Sequence, residues 1–282
     1  MTATSTSVTV VAEDAAPQTP AERIREMRVR APARGNRKLE ALLDAANSDD
    51  QLKGWWLVQQ STADRLQMSD HSWVHVQIVL NVALRIFRLL ERRGVQPAMV
   101  ADYGMAARDA EVVIAGACLL HDAGMSVHRT DHEAYSLFLA ADKLPELLAD
   151  VYAEPERSVV CAEALHAIIG HRRRGEPITV EAGVVRVADA LDMENGRSRV
   201  PFEAGRPNIH SLSAAAIDDV KIEPGEDRAV SIEIDMNNSS GIFQVDELLA
   251  TKLRGSGLEA HIEVVARIEA EHEKRLVPIF RI

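Results

Sequence analysis

Cysteine is scarce in this sequence, at two of 282 residues. Cys118 and Cys161 both lie in apolar helical contexts, which excludes a zinc ribbon and suits small core residues in a reducing cytosol. Aromatic side chains make up only 4% of the chain. No unbroken apolar run approaches the roughly 20 residues needed to cross a bilayer. The first residues also lack the basic start and long apolar core of a secretory signal. The expectation is a soluble, cytoplasmic protein with no membrane partner. An excess of basic residues is missing too: 32 Lys and Arg face 43 Asp and Glu, for a net charge of -11. Such a surface disfavours nucleic acid as a partner, although local basic spots can still grip a small phosphorylated substrate. No internal repeat is present.

What remains is an ordinary globular composition, 46% hydrophobic and 27% charged, long enough to bury a substantial core. Residues 1–36 are rich in Ala, Thr, Ser and Pro, then in Arg (Arg28, Arg30, Arg34), and read as a disordered tail with a short helix around 21–29. Residues 37–200 carry apolar positions spaced three and four apart, the mark of packed helices. Helices are expected at 37–46, 51–68, 73–93, 108–120, 131–140, 144–152, 156–170 and 180–192. Past Asn195-Gly196 the texture changes. Residues 220–223 and 230–236 alternate apolar and polar around a Pro-Gly turn, 245–253 is helical, and 261–268 alternates again. Residues 201–282 are therefore expected to form a small α+β module. Its exposed strand edge would let two copies pair as a homodimer. The fold class is mainly α, with a C-terminal α+β module.

The chemistry centres on Leu119-Leu120-His121-Asp122-Ala123-Gly124-Met125. An apolar run, 112–120, leads straight into an adjacent His and Asp, and burying these unpaired costs several kcal/mol. Neutral imidazole plus carboxylate suits a divalent cation. The alternative is a helix C-cap at which both side chains face water and Gly124 ends the helix. His75 stands at the N-terminal end of an inward-facing stripe on its helix. Asp189 follows an apolar face and is expected to point inward. Phosphate charge calls for guanidinium forks. Arg129 and the pair Arg197 and Arg199 are candidates, whereas Arg172 to Arg174 read as a solvated turn.

The order His75, His121-Asp122, further histidines, then Val187-Ala188-Asp189-Ala190-Leu191-Asp192 resembles the HD superfamily of metal-dependent phosphohydrolases over roughly residues 70–195. The resemblance implies an HD-domain helical bundle in which His75, His121, Asp122 and Asp189 hold one metal ion. It further implies His132, His166 and His171 as ligands of a second. Asp122 would serve the catalytic step as well, with His128 and His71 facing the substrate or supporting the ligands. The cofactor would be one or two divalent ions per chain, Mn, Fe, Zn or Mg. The chain departs from the cyclic-dinucleotide subgroup: Met125 stands where a Lys often follows the Gly, and Gly175-Glu176-Pro177 is found near the place of a Gly-Tyr-Pro signature. The implied activity is hydrolysis of a phosphomonoester or phosphodiester of a nucleotide-like compound. A module that senses a phosphorylated ligand without turning it over is the alternative.

Overall fold

The computed structural model describes residues 18–193 and 213–268. Among the described residues nine α-helices come first: α1 (Pro20–Ile24), α2 (Arg37–Ser48), α3 (Asp50–Leu66), α4 (Trp73–Arg92), α5 (Ala98–Ala101), α6 (Ala107–Leu120), α7 (His132–Leu147), α8 (Glu156–Gly170) and α9 (Val180–Leu191). Caps set several of the starts. Asn36, Asp49, Ser72 and Thr179 each accept a backbone N–H from the first turn of the helix they precede.

α6 is the centre of the bundle. Its residues from Asp109 to Leu120 are all buried, and α2, α4, α8 and α9 pack around it. A helix apolar all round belongs in a core, which is why the 112–120 run has no polar face. α4 is long and apolar enough to span a bilayer by length and composition alone. Its most apolar window is 56% buried in the bundle and it carries the fully buried His75, so its apolar face is taken up by the core.

The helical readings at 131–140 and 144–152 merge into the single α7, which passes through Pro145 to Leu147. Pro145 lies in the last turn, where its missing N–H costs one hydrogen bond, and the buried Lys143 beside it pins that turn to Asp49 and Glu146.

The expectation of a disordered tail through residue 36 does not hold from Pro20 onward. Ile24, Met27, Val29 and Ala33 are buried. The segment between α1 and α2 is held by side chains of the bundle: Asn47 bonds both the N–H and the C=O of Val29, Gln77 accepts the Arg30 N–H, and Asn81 donates to the Arg30 carbonyl. Its few apolar residues find a preformed surface, which composition alone does not disclose.

The C-terminal module has β1 (Ile217–Pro224), β2 (Val230–Met236) and β3 (Ile262–Ile268) in the order β1-β2-β3. β1 is antiparallel and β3 parallel to β2. β2 alternates buried and half-buried positions along its whole length. Between β2 and β3 a π-helical stretch, Gln244–Ala250, continues into Thr251–Leu253, where the 245–253 helix was expected. The module docks on α9 closely enough that a Cβ on Gly183 would lie 2.3 Å from the Ser256 carbonyl oxygen. α9 carries Gly183 because the backbone of the module passes there.

Candidate metal centre

His75 comes from the first turn of α4, His121 and Asp122 from the C-terminal end of α6, His132 from the start of α7, His171 from the residue closing α8, and Asp189 from the last turn of α9. Five helix ends thus converge on one buried point. The turn after α6 is fixed from several sides. Trp56 Nε1 donates to the Leu119 carbonyl at 3.0 Å. Ser136 Oγ donates to the His121 carbonyl at 2.7 Å and accepts the Gly124 N–H at 2.8 Å. Gly124 is required by proximity, since a Cβ there would stand 2.0 Å from the His132 carbonyl oxygen and 2.5 Å from Ser136 N. Its role is to let α7 approach; the turn itself continues as a short 3-10 segment, Ala123–Ser126.

Each of the four histidines presents Nε2 to the shared space and engages Nδ1 elsewhere. Nδ1 of His121 donates to the Cys118 carbonyl (2.9 Å) and that of His171 to the Ile168 carbonyl (2.5 Å), while Nδ1 of His132 lies against Arg129, 3.1 Å from its carbonyl oxygen. Nδ1 of His75 is paired with the Asp192 carboxylate. An acceptor on Nδ1 selects the tautomer whose Nε2 lone pair is free for a cation.

Asp122 stands between two groups. Its Oδ2 lies 3.4 Å from His75 Nε2 and 3.5 Å from His121 Nε2, while Oδ1 lies 3.0 Å from His132 Nε2 and 3.8 Å from His171 Nε2. The donor atoms of His75, His121 and Asp122 all fall within 4.8 Å of one another, as do those of Asp122, His132 and His171. Asp189 Oδ1 borders the first group, 3.4 Å from His75 Nε2 and 3.9 Å from His121 Nε2. Nitrogen and oxygen ligands about 2.1 Å from an ion stand roughly 3 to 3.5 Å apart, so the spacings within these groups suit divalent-cation binding.

The protonation states suit that donor set. Burial pushes both Asp122 and Asp189 up, but the surrounding histidines and, for Asp189, foremost the Lys252 ammonium hold them well below the usual carboxylate range. Burial lowers His121, and burial together with Lys252 takes His171 down to about 3. Two carboxylates are therefore ionised beside two neutral imidazoles, the forms that bind a metal. Burial also opposes protonation of His132, yet its bond to Asp122 outweighs this and raises it.

The other expected site residues lie elsewhere. His166 is half-buried and outside the cluster; its Nε2 accepts the Ile178 N–H at 3.1 Å, fixing the chain before α9. One helical turn separates it from the cluster, and His171, beyond the end of α8, reaches the centre instead. His128 is exposed, and its Nδ1 accepts the Thr130 N–H at 3.0 Å. Arg129 Nη1 lies 2.8 Å from His132 Nδ1, beside the cluster without entering it. His71 is buried next to His75, with ring centroids 5.4 Å apart. Arg197 and Arg199 fall outside the described residues.

Two residues at the centre were not given a role from the sequence. Asp192, on His75, sits in the same short motif as Asp189, and its spacing of three could have suggested a supporting carboxylate. Lys252 comes from the C-terminal module and pairs with Asp189 Oδ2. No local pattern marks it, because only the docking of that module on α9 brings it there.

The HD domain family model matches residues 73–194. An uncharacterized protein of Methanocaldococcus jannaschii is 39% identical over 207 residues, covering 73% of this chain and 80% of that protein. No solved structure matches.

Proposed function

The chain belongs to the HD-domain superfamily of metal-dependent hydrolases, and on that premise we propose that it hydrolyses a phosphomonoester or phosphodiester of a small, nucleotide-like compound. The observation that carries this reading is Asp122, whose two carboxylate oxygens face two separate histidine pairs. His75, His121, Asp122 and Asp189 would hold one cation, and Asp122, His132 and His171 a second. Divalent ions supply there a water acidified toward neutral pKa and positive charge for phosphate oxygens.

The chain's own residues do the positioning. Asp192 fixes the ring of His75, and the carbonyls of Cys118 and Ile168 fix those of His121 and His171. Lys252, 14% exposed at its side chain, sets the orientation of Asp189 and places an ammonium beside the centre, where it can take a phosphate oxygen. Arg129, next to His132, offers a guanidinium for the same purpose.

The test is turnover of p-nitrophenyl phosphate and bis-p-nitrophenyl phosphate by the full chain loaded with Mn or Fe. Release of p-nitrophenol that stops with chelator and is lost in Asp122→Ala supports the reading. Binding of nucleotides with no product from any phosphoester would replace it with the ligand-sensing alternative.

A further inference from the structure

Away from the metal centre, a cavity of about 340 Å³ opens between the segment before α2, the C-terminal end of α4 and the N-terminal end of α6. Four arginines line it, Arg34, Arg88, Arg92 and Arg108, against two carboxylates, Glu91 and Glu111. We propose that this cavity is a second binding site, for a small anion carrying two or more phosphate groups.

The floor is a built one. Glu111 is buried, and its two oxygens are taken by Arg88 Nε at 2.6 Å and Asn36 Nδ2 at 2.8 Å. Asn36 also donates to the Arg108 carbonyl at 2.8 Å and caps α2. Arg88 reaches on to the Pro32 carbonyl, which ties the N-terminal segment to α4. Glu111 is thereby neutralised within the wall, and its network sets the positions of three of the segments that frame the cavity.

The remaining guanidinium groups are different. Among the described residues, the side chains of Arg34, Arg92 and Arg108 have no hydrogen-bond or ion-pair partner, although Glu91 stands at the same rim. Scattered over a surface, unpaired arginines call for no explanation. Three of them around one concavity hold like charges together, and their planar forks match phosphate oxygens two at a time. Among the lining residues none is aromatic, so nothing there stacks on a base. Recognition would be of the phosphate charge itself.

This site is separate from the catalytic one. Glu111 and His121 are ten residues apart on one helix and Arg88 and His75 thirteen apart on another, or about 15 and 20 Å at 1.5 Å per residue. Phosphate held at the metals cannot reach the arginines.

The test is calorimetric titration of the full-length protein with inorganic pyrophosphate. Asp122→Ala removes the metal centre's own affinity for phosphate and should retain one pyrophosphate per chain. Adding Arg92→Ala and Arg108→Ala to that variant should weaken the remaining binding at least tenfold. In the otherwise native chain the same two arginine changes should leave metal content and basal turnover unaltered. No binding to Asp122→Ala whose melting temperature shows it folded, or equal binding after loss of the two arginines, overturns the proposal. Neither result depends on whether the metal centre hydrolyses anything.

Discussion

Lys252, on the helical connector of the C-terminal module, forms an ion pair with Oδ2 of Asp189 on the last helix of the bundle, while Oδ1 of the same carboxylate faces His75 and His121. One carboxylate is thus shared between the candidate metal centre and a residue 63 positions further along the chain.

Lys252→Ala should leave the metal content intact and raise KM for a phosphoester by about tenfold, the size of one charge-assisted hydrogen bond. Lys252→Arg should recover part of that loss. Steady-state kinetics beside elemental analysis checks it, and an unchanged KM would remove Lys252 from the substrate's surroundings.

Metal stoichiometry separates His171 from His166. His171→Ala should reduce two ions per chain to one, whereas His166→Ala should keep both and lose only the anchor on Ile178. His121→Ala and Asp122→Ala should abolish metal binding and hydrolysis while retaining helical circular dichroism. Asp192→Ala should weaken metal affinity by about 10- to 100-fold by releasing the ring of His75.

Gly124→Ala should destabilise the protein by about 3 kcal/mol or more, because its methyl group meets backbone rather than a movable side chain. Denaturant unfolding measures this. A change of a few tenths would mean that α7 can retreat from the turn.

Acid stability should report on Asp109. Burial alone would raise its carboxyl, but Lys38, Tyr152 and the Ala106 N–H together hold it below its ordinary value. A group lowered by folding binds fewer protons in the native than in the unfolded state. Its contribution is therefore complete above the unfolded carboxylate pKa, about 3.9, and is lost as pH falls through the lower folded value. The stability gap between wild type and Asp109→Asn should narrow along that acid limb. A gap independent of pH would contradict the assigned interactions.

Periodicity carried most of the helical architecture, because spacings of three and four are local. Apolar stripes gave only the inward direction of His75 and Asp189 and the buried setting of His121 and Asp122; that the four belong together was implied by the resemblance of their order to the HD superfamily. His171 against His166 could not be decided that way. Five residues apart, they differ in which side of the end of α8 they occupy, and that depends on where the helix stops. Lys252 and the packed segment from Pro20 to Asn36 were hidden for another reason. Both are placed by contacts with residues distant in sequence, Asp189 in one case and Asn47, Gln77 and Asn81 in the other.

Arg186 lies on α9 one turn before Asp189, and its side chain is almost entirely enclosed. Its guanidinium donates to the carbonyls of Lys252 and Thr251 on one side and of Gly170, Arg172 and Arg173 on the other. Cutting the chain after the bundle would strip away two of those acceptors and also uncover the face of α9 on which Ser256 and Leu258 pack. The helical part is therefore not a portable cassette. Grafting it onto another C-terminal partner, or trimming it to the residues that bear the histidines, should lower its stability and expose apolar surface that the module now covers.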